Sequence, residues 1–357
     1  MTPDTLLSEL ARLVPAMQAR AVALDAEEAF PEQDFQALRE LGALQAPLPT
    51  DQGGQGAGTE PGGMDLILRL LTILGQGNLA VGRLFEAHVN AIKLIAAYGT
   101  PAQVGRVAAE VRDGHLFGLW VTDPPEHALQ LSGGSLHGSK GPCSGAGHVT
   151  RALVTVSTPA GSQMAVAEVD ATVSIEPRRG ALQGMRAGVN GVAHFQGTPL
   201  PSDALIGGPG DYLREPLLST GAWRTSAVTL GGLDALVLAT RDQLARRGHQ
   251  AAPLQQDRFG HMLIAQETAR LWTTAAAKRA EASEAPTADR VAYVNLARIA
   301  VEAACLDAMR LAQRALGLAA FLRPNPVERL LRDLAVYLRQ PAPDSVLTEA
   351  ALHSFSA

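Results

Sequence analysis

The sequence predicts an α+β multidomain chain in three parts. An N-terminal all-α domain spans residues 1–114, a central antiparallel β-barrel or sandwich spans 115–215, and a C-terminal α-helical bundle spans 216–357. Three observations predict this order. Leucine and alanine recur at helical spacing before about residue 115 and again after about residue 219. Between them lie short β-prone runs punctuated by Gly, Pro, Ser and Asp. Helices, then strands, then helices is not the alternation of a doubly wound α/β chain. Gly75-Gln76-Gly77 also sits inside a helical stretch rather than after a strand, so it is not a Rossmann fingerprint.

The elements follow in order. Residues 5–45 read as two helices, and 47–63 as a loop broken by Gly53-Gly54 and Pro61-Gly62-Gly63. Helical pattern resumes over 64–98. Gly99-Thr100-Pro101 ends one helix and opens another, with Thr100 as N-cap and Pro101 in the first turn. Strand runs fall at 116–121, 152–156, 164–169, 173–175 and 192–195. Long helical stripes then cover 222–246, 258–281 and 288–318. Pro324 and Pro326 interrupt, and a last helix starts near Val327.

Composition narrows the function classes. Apolar residues make up 46% and aromatics only 4%, so Ala, Leu and Val fill closely packed helices. The net charge of −5, with no Lys/Arg block, leaves no electrostatic footprint for nucleic acid or an anionic membrane. No apolar run reaches the roughly 18–20 residues of a membrane span. Cys143 and Cys305 lie far apart, which suits a reducing compartment and provides no disulfide or metal framework. The acidic start, Met1-Thr2-Pro3-Asp4, lacks a signal peptide's basic region, so a cytoplasmic location is expected.

Residues at the junctions carry a resemblance. Phe30-Pro31 with Leu38, Leu41-Gly42 and Pro49-x-x-x-Gly53-Gly54 come first, then Phe85-Glu86-Ala87-His88 and Tyr98-Gly99-Thr100-Pro101. Trp120-Val121-Thr122-Asp123-Pro124 follows, then Gly138-x-Lys140 with Cys143-Ser144-Gly145. Met185-Arg186 and Ile206-Gly207-Gly208-Pro209-Gly210-Asp211 mark the handover to the last helical part. Pro326-Val327-Glu328-Arg329-Leu330-Leu331-Arg332-Asp333 is the most specific. In this order, over nearly the whole chain, they resemble the acyl-CoA dehydrogenase superfamily.

The resemblance implies a C-terminal four-helix bundle and FAD, or FMN, between the β-domain and the bundle. Trp120, Val121 and Thr122 would bond the isoalloxazine edge, where fixed donors stabilise the charge of a reduced flavin. Ser144 would sit near flavin N5. Arg258, of Arg258-Phe259-Gly260, matches the residue that meets the pyrophosphate, with Arg247-Gly248 as the alternative register. Gly317 matches the first glycine of a pyrophosphate turn whose second and third positions are Leu318 and Ala320 here. A homodimer or homotetramer packed through the C-terminal helices is implied. The partners implied are an acyl-CoA or other small-molecule substrate, and an electron-acceptor flavoprotein or oxygen.

The implied function is FAD-dependent α,β-dehydrogenation of an acyl thioester or similar substrate, an oxidation of a CH–CH group. That chemistry needs a carboxylate base, yet the two matching positions hold Pro341 and Trp223. Asp344 is the nearest carboxylate, three residues late. A flavin-dependent monooxygenase branch is the alternative. Cys143-Ser144-Gly145-Ala146-x-His148 is similar to its pattern, and His88 is its candidate acid–base residue. In that branch the C-terminal histidine position holds Gln340, and His148 is expected to stack or cap at the domain edge. The third alternative is a non-catalytic member that lacks the base glutamate.

Overall fold

The computed structural model describes residues 1–282 and 284–356. Five helices come first: α1 (Pro3–Glu27), α2 (Glu32–Glu40), α3 (Met64–Gly77), α4 (Leu79–Tyr98) and α5 (Pro101–Arg112). The Thr100 cap is complete. Gln103 N donates to Thr100 Oγ1 at 3.3 Å and Thr100 N to Gln103 Oε1 at 2.8 Å, so both ends of the capping box are made. The helical stretch expected over 64–98 is made of two helices, α3 and α4. Asn78 interrupts it, and its side chain caps α4 by accepting from Ala80 N at 3.0 Å.

Eight strands follow: β1 (Phe117–Trp120), β2 (Gln130–Ser132), β3 (Ser135–Cys143), β4 (Arg151–Thr158), β5 (Gly161–Glu168), β6 (Val173–Pro177), β7 (Gly191–Pro199) and β8 (Leu205–Ile206). They form one sheet in the order β6-β7-β3-β2-β4-β5-β8, with β1 beside β4. Most pairs are antiparallel, but β1 runs parallel to β4, and β2 meets β4 in parallel at Gln130 and Ser157. The sheet is therefore mixed, which corrects the expectation of a purely antiparallel one. A short strand run carries no mark of its partner's direction, because both directions bury the same alternate side chains. β3 reads poorly in the sequence because Gly138, Ser139, Gly141 and Pro142 crowd it. The structure accommodates the proline where the register to β7 shifts between Lys140 and Cys143.

The last part holds α6 (Leu217–Thr220), α7 (Ala222–Arg246), α8 (Pro253–Ala280), α9 (Thr287–Leu316), α10 (Pro326–Tyr337) and α11 (Pro343–Ser356). One continuous apolar core runs through all three parts, from Leu6 and Phe35 through Phe117 to Trp223 and Leu334. Glycines let α3 and α7 meet backbone to backbone. A Cβ at Gly75 would overlap the Val228 carbonyl, and one at Gly231 the Thr72 carbonyl. Gly75 is thus a packing residue inside a helix.

The 326–333 motif ties the parts together. Arg332 donates from Nη1 and Nη2 to Asp25 of α1 at 3.0 and 2.7 Å, from Nη1 to the Gln183 carbonyl at 2.9 Å, and from Nε and Nη2 to Glu328 at 2.7 and 3.0 Å. Asp333 accepts from Met185 N at 2.6 Å and from Arg329 at 2.7 Å. Gly184 lies flat on the Arg332 peptide, where a side chain would collide. Arg332 and Asp333 of α10 are thus tied to α1 through Asp25 and to the β-domain through the Gln183 carbonyl and Met185 N. Among the described residues, no helix is long and apolar enough to cross a membrane.

Candidate active site

Two loops stand side by side at the end of β1. The buried Trp120 indole donates from Nε1 to the Ser144 carbonyl at 3.0 Å, and Gly141 N donates to the Thr122 carbonyl at 3.0 Å. Lys140 braces the first loop from behind. Its ammonium is fully buried, 2.7 Å from Asp123, and donates to Thr155 Oγ1 at 2.8 Å and to the Val121 carbonyl at 3.3 Å. Burial lowers the Lys140 pKa, and the Asp123 hydrogen bond opposes that shift. Ser144 is half-buried and donates from Oγ to Asn190 Oδ1 at 3.1 Å, while Thr122 is exposed. Trp120, Val121, Thr122 and Ser144 thus come together. Because the Trp120 ring is used internally, only its backbone is left to face a ligand.

A second corner forms where α7 ends, α8 begins and α9 ends. Arg247 donates to the Leu316 carbonyl at 3.2 Å, Gln255 to the Ala315 carbonyl at 3.1 Å, and half-buried Arg258 to Gln255 Oε1 at 3.3 Å. Both arginine registers reach this corner. Gly317, at φ +61°, has no atom within 4 Å of where a Cβ would stand, so its peptide is open to close approach. Leu318 is exposed beside it and Ala320 is buried.

Between α4, β1, the start of α7, α9 and the segment after α10 lies a cavity of about 410 Å³. Its floor carries Glu86, Asn90 and Lys93 of α4; Arg224 and Thr225 of α7 face them. Leu119 of β1 joins it to the strand that ends in the loop pair. Gln340, Pro341 and Ala342 close another side. Glu86 is buried. It accepts from Arg83 at 2.9 Å, Asn90 at 2.7 Å and Thr225 at 3.2 Å.

A model of the acyl-CoA dehydrogenase N-terminal domain matches residues 6–115, and one of the C-terminal domain matches residues 214–338. Together they take in more than half of the chain. The chain belongs to the acyl-CoA dehydrogenase family. Mouse mitochondrial very long-chain specific acyl-CoA dehydrogenase is 24% identical over 249 residues, 62% of this chain but only 37% of that longer protein. Among solved structures, glutaryl-coenzyme A dehydrogenase in complex with glutaryl-CoA superposes at a TM-score of 0.85, with 20% identity over 99% of this chain and 95% of that one. KijD3 in complex with FMN and dTDP-3-amino-2,3,6-trideoxy-4-keto-3-methyl-D-glucose superposes at 0.84, with 18% identity over 98% and 94%. At such identities these two likenesses establish the fold.

The two segments where the resemblance leads one to expect a base, around Trp223 and Pro341, converge on this cavity. Ala222 and Arg224 flank Trp223 along its wall, and Pro341 lines it. The Trp223 ring is fully buried, with the Arg224 guanidinium 5.5 Å from its centroid. Asp344, the nearest carboxylate in sequence, lies exposed in the first turn of α11 and does not line the cavity. Its candidacy as base is corrected: α11 begins before it and turns it outward. The structure also corrects His88. It is fully buried; Nδ1 accepts from Phe117 N at 3.1 Å, which leaves the Nε2 proton for the Leu44 carbonyl at 2.9 Å. Burial pushes its pKa down to about 4. His88 is a neutral pin between α4, the 43–45 turn and β1, with neither nitrogen left for substrate. His148 stacks flat on Phe30, centroids 4.2 Å apart.

Sequence reasoning missed Glu86, Lys93 and Arg224 as cavity residues. The available signal was three charges on the otherwise apolar faces of α4 and α7. A long helix does not bury charge there without partners. Cys143 packs as a filler, its thiol pushed up to about 12 by burial. Among the described residues, no group of three or more His, Cys, Asp or Glu side chains could hold a metal ion.

Proposed function

We propose that this chain is a flavin-dependent oxidoreductase that dehydrogenates a small acyl substrate in the 410 Å³ cavity. The observation that carries the reading is the pair of hydrogen bonds, Trp120 to Ser144 and Gly141 to Thr122, that aligns the two loops expected at the flavin edge beside that cavity. When bound, a flavin supplies hydride acceptance. The chain supplies the rest. Lys140 fixes the Val121–Asp123 loop, so its peptide groups are pre-set rather than reorganised on binding. Ser144, whose hydroxyl proton goes to Asn190, leaves its oxygen at the loop face as an acceptor. Arg258, or Arg247, with the open peptide at Gly317 suits a pyrophosphate. FAD fits this set better than FMN, since only FAD has that pyrophosphate.

The proton must go to a group on the cavity wall. Neither Trp223 nor Pro341 takes one. Glu86 is the carboxylate that lines the cavity, and we assign it as the acceptor. Thr225 and Asn90 orient it and Arg83 matches its charge. The monooxygenase alternative loses its acid–base histidine, because both His88 nitrogens are engaged in the core. Anaerobic mixing of the purified protein with acyl-CoA thioesters tests the reading. Bleaching of the flavin band by a thioester supports it. Oxygen uptake that requires an added flavin reductase, with no bleaching by any thioester, overturns it in favour of oxygen chemistry.

A further inference from the structure

Three cations line the cavity, and the protein gives them little negative charge in return. Lys93 donates to Glu281 at 2.9 and 3.0 Å and to the Gly58 carbonyl at 2.7 Å. Arg224 donates from Nε to Asn90, and its Nη1 lies 4.0 Å from the same Glu281. Arg298 donates from Nη2 to the Pro341 carbonyl, while its Nε is buried with no hydrogen-bond partner. Glu302, the carboxylate that acts on Arg298, is itself bonded by Arg339. Glu86 is paired with Arg83 and also acts on Arg224, so its one charge is shared. Glu281 therefore serves two cations, and no carboxylate of the cavity wall is assigned to Arg298. Burial lowers the pKa of Lys93, with repulsion from Arg224 adding to it, and burial lowers that of Arg224. Cations held this way are costly unless an anion joins them.

The surrounding wall is apolar: Leu94, Leu119, Leu217, Leu218 and Val346. We propose that the cavity recognises an organic carboxylate, its charge held by Arg224 and Arg298 and its hydrocarbon part laid against these side chains. This deepens the oxidoreductase reading and rests on it for the reaction. A guanidinium presents paired donors that match the two oxygens of a carboxylate. A bare inorganic anion would leave the leucine wall uncovered. About 410 Å³ suits a small to medium acid, or an acyl group that carries a terminal carboxylate.

Isothermal calorimetry of the full-length protein with hexanoate and with its uncharged counterpart hexanamide tests this. Hexanoate should bind about tenfold more tightly or better, and Arg224→Gln and Arg298→Gln should each pull that ratio toward one while hexanamide affinity stays. Equal affinities in the wild type overturn the proposal without any variant. A ratio unchanged in Arg298→Gln, the less buried of the two, also overturns it. So does inorganic phosphate that displaces hexanoate at equal concentration. Visible absorbance of the same samples reports bound flavin separately. A coloured protein that does not discriminate sinks the carboxylate assignment alone; a colourless one that does sinks the flavin reading alone.

Discussion

Replacing Arg332 by methionine tests how the parts of the chain are held in register. The side chain is buried and bridges Asp25 of α1, Glu328 of α10 and the Gln183 carbonyl of the β-domain. Methionine fills similar space but leaves the buried Asp25 without its counter-ion, while half-buried Glu328 keeps only Arg323 at 3.7 Å. Removing one partner of a buried pair costs about 3–5 kcal/mol. With an unfolding entropy of roughly 2.1 cal/mol/K per residue, a 357-residue chain loses roughly 0.75 kcal/mol per degree, so the melting temperature should fall by roughly 4–7 °C. Arg332→Lys keeps the charge but not the fork, and should fall between the two. Thermal unfolding followed by circular dichroism at two salt concentrations reads this, and the loss should persist at high salt because the pair is buried. A shift under about 1 °C in Arg332→Met would refute the reasoning, since it would make the network ornamental.

Three further outcomes are expected. His88 sits at about 4 in the fold against 6.5 unfolded, so its neutral form stabilises the protein fully above pH 6.5 and that contribution is lost as the pH falls toward 4. The full effect is about 3 kcal/mol. Melting temperature against pH should slope less in His88→Gln than in the wild type over that window; parallel slopes would contradict the assignment. Gly231→Ala would gain about 0.5–1 kcal/mol were helix propensity decisive. The Thr72 carbonyl occupies the Cβ position, so denaturant titration should instead show a loss of about 1–3 kcal/mol, and a gain would mean that α3 and α7 can move apart. Glu86→Gln should lower turnover by about 10²–10⁴-fold with substrate affinity little changed, and unaltered turnover in steady-state kinetics would remove Glu86 from the proton path.

What the sequence made legible was what is local. The stripes of α7 and α9, the Thr100-Pro101 cap and five of the strands show as periodicity and as capping or turn chemistry. β3 stayed hidden because its pairing with β7 outweighs the poor strand propensity of its glycines and proline. α11 stayed hidden because Pro341 and Pro343 read as a break, whereas Pro343 opens a new helix that packs on α9 and is tied to it by His353 and Asp289 at 2.7 Å. At the site, the expectation that the Trp120–Thr122 and Ser144 loops adjoin came from the family resemblance, and the Trp120–Ser144 and Gly141–Thr122 bonds bring those loops side by side. Glu86 did not. Its bond to Thr225 joins residues far apart in the chain, and no spacing rule encodes such a bond. His88 stayed open between an acid–base role and a satisfied interface histidine, because a histidine on a helix reads the same whether its partners are substrate atoms or the Phe117 and Leu44 peptides.

Titration of flavin-free protein with FAD and with FMN, read by visible absorbance and calorimetry, bears most directly on the whole picture. The wild type should take up one flavin per chain and turn yellow, with FAD the tighter ligand. Ser144→Phe, which puts bulk on the face of the loop pair, should abolish uptake while the chain stays folded. Neither flavin binding to a folded wild-type protein, or uptake that Ser144→Phe leaves untouched, would contradict the claim that the Trp120–Thr122 and Ser144 loops hold the ring.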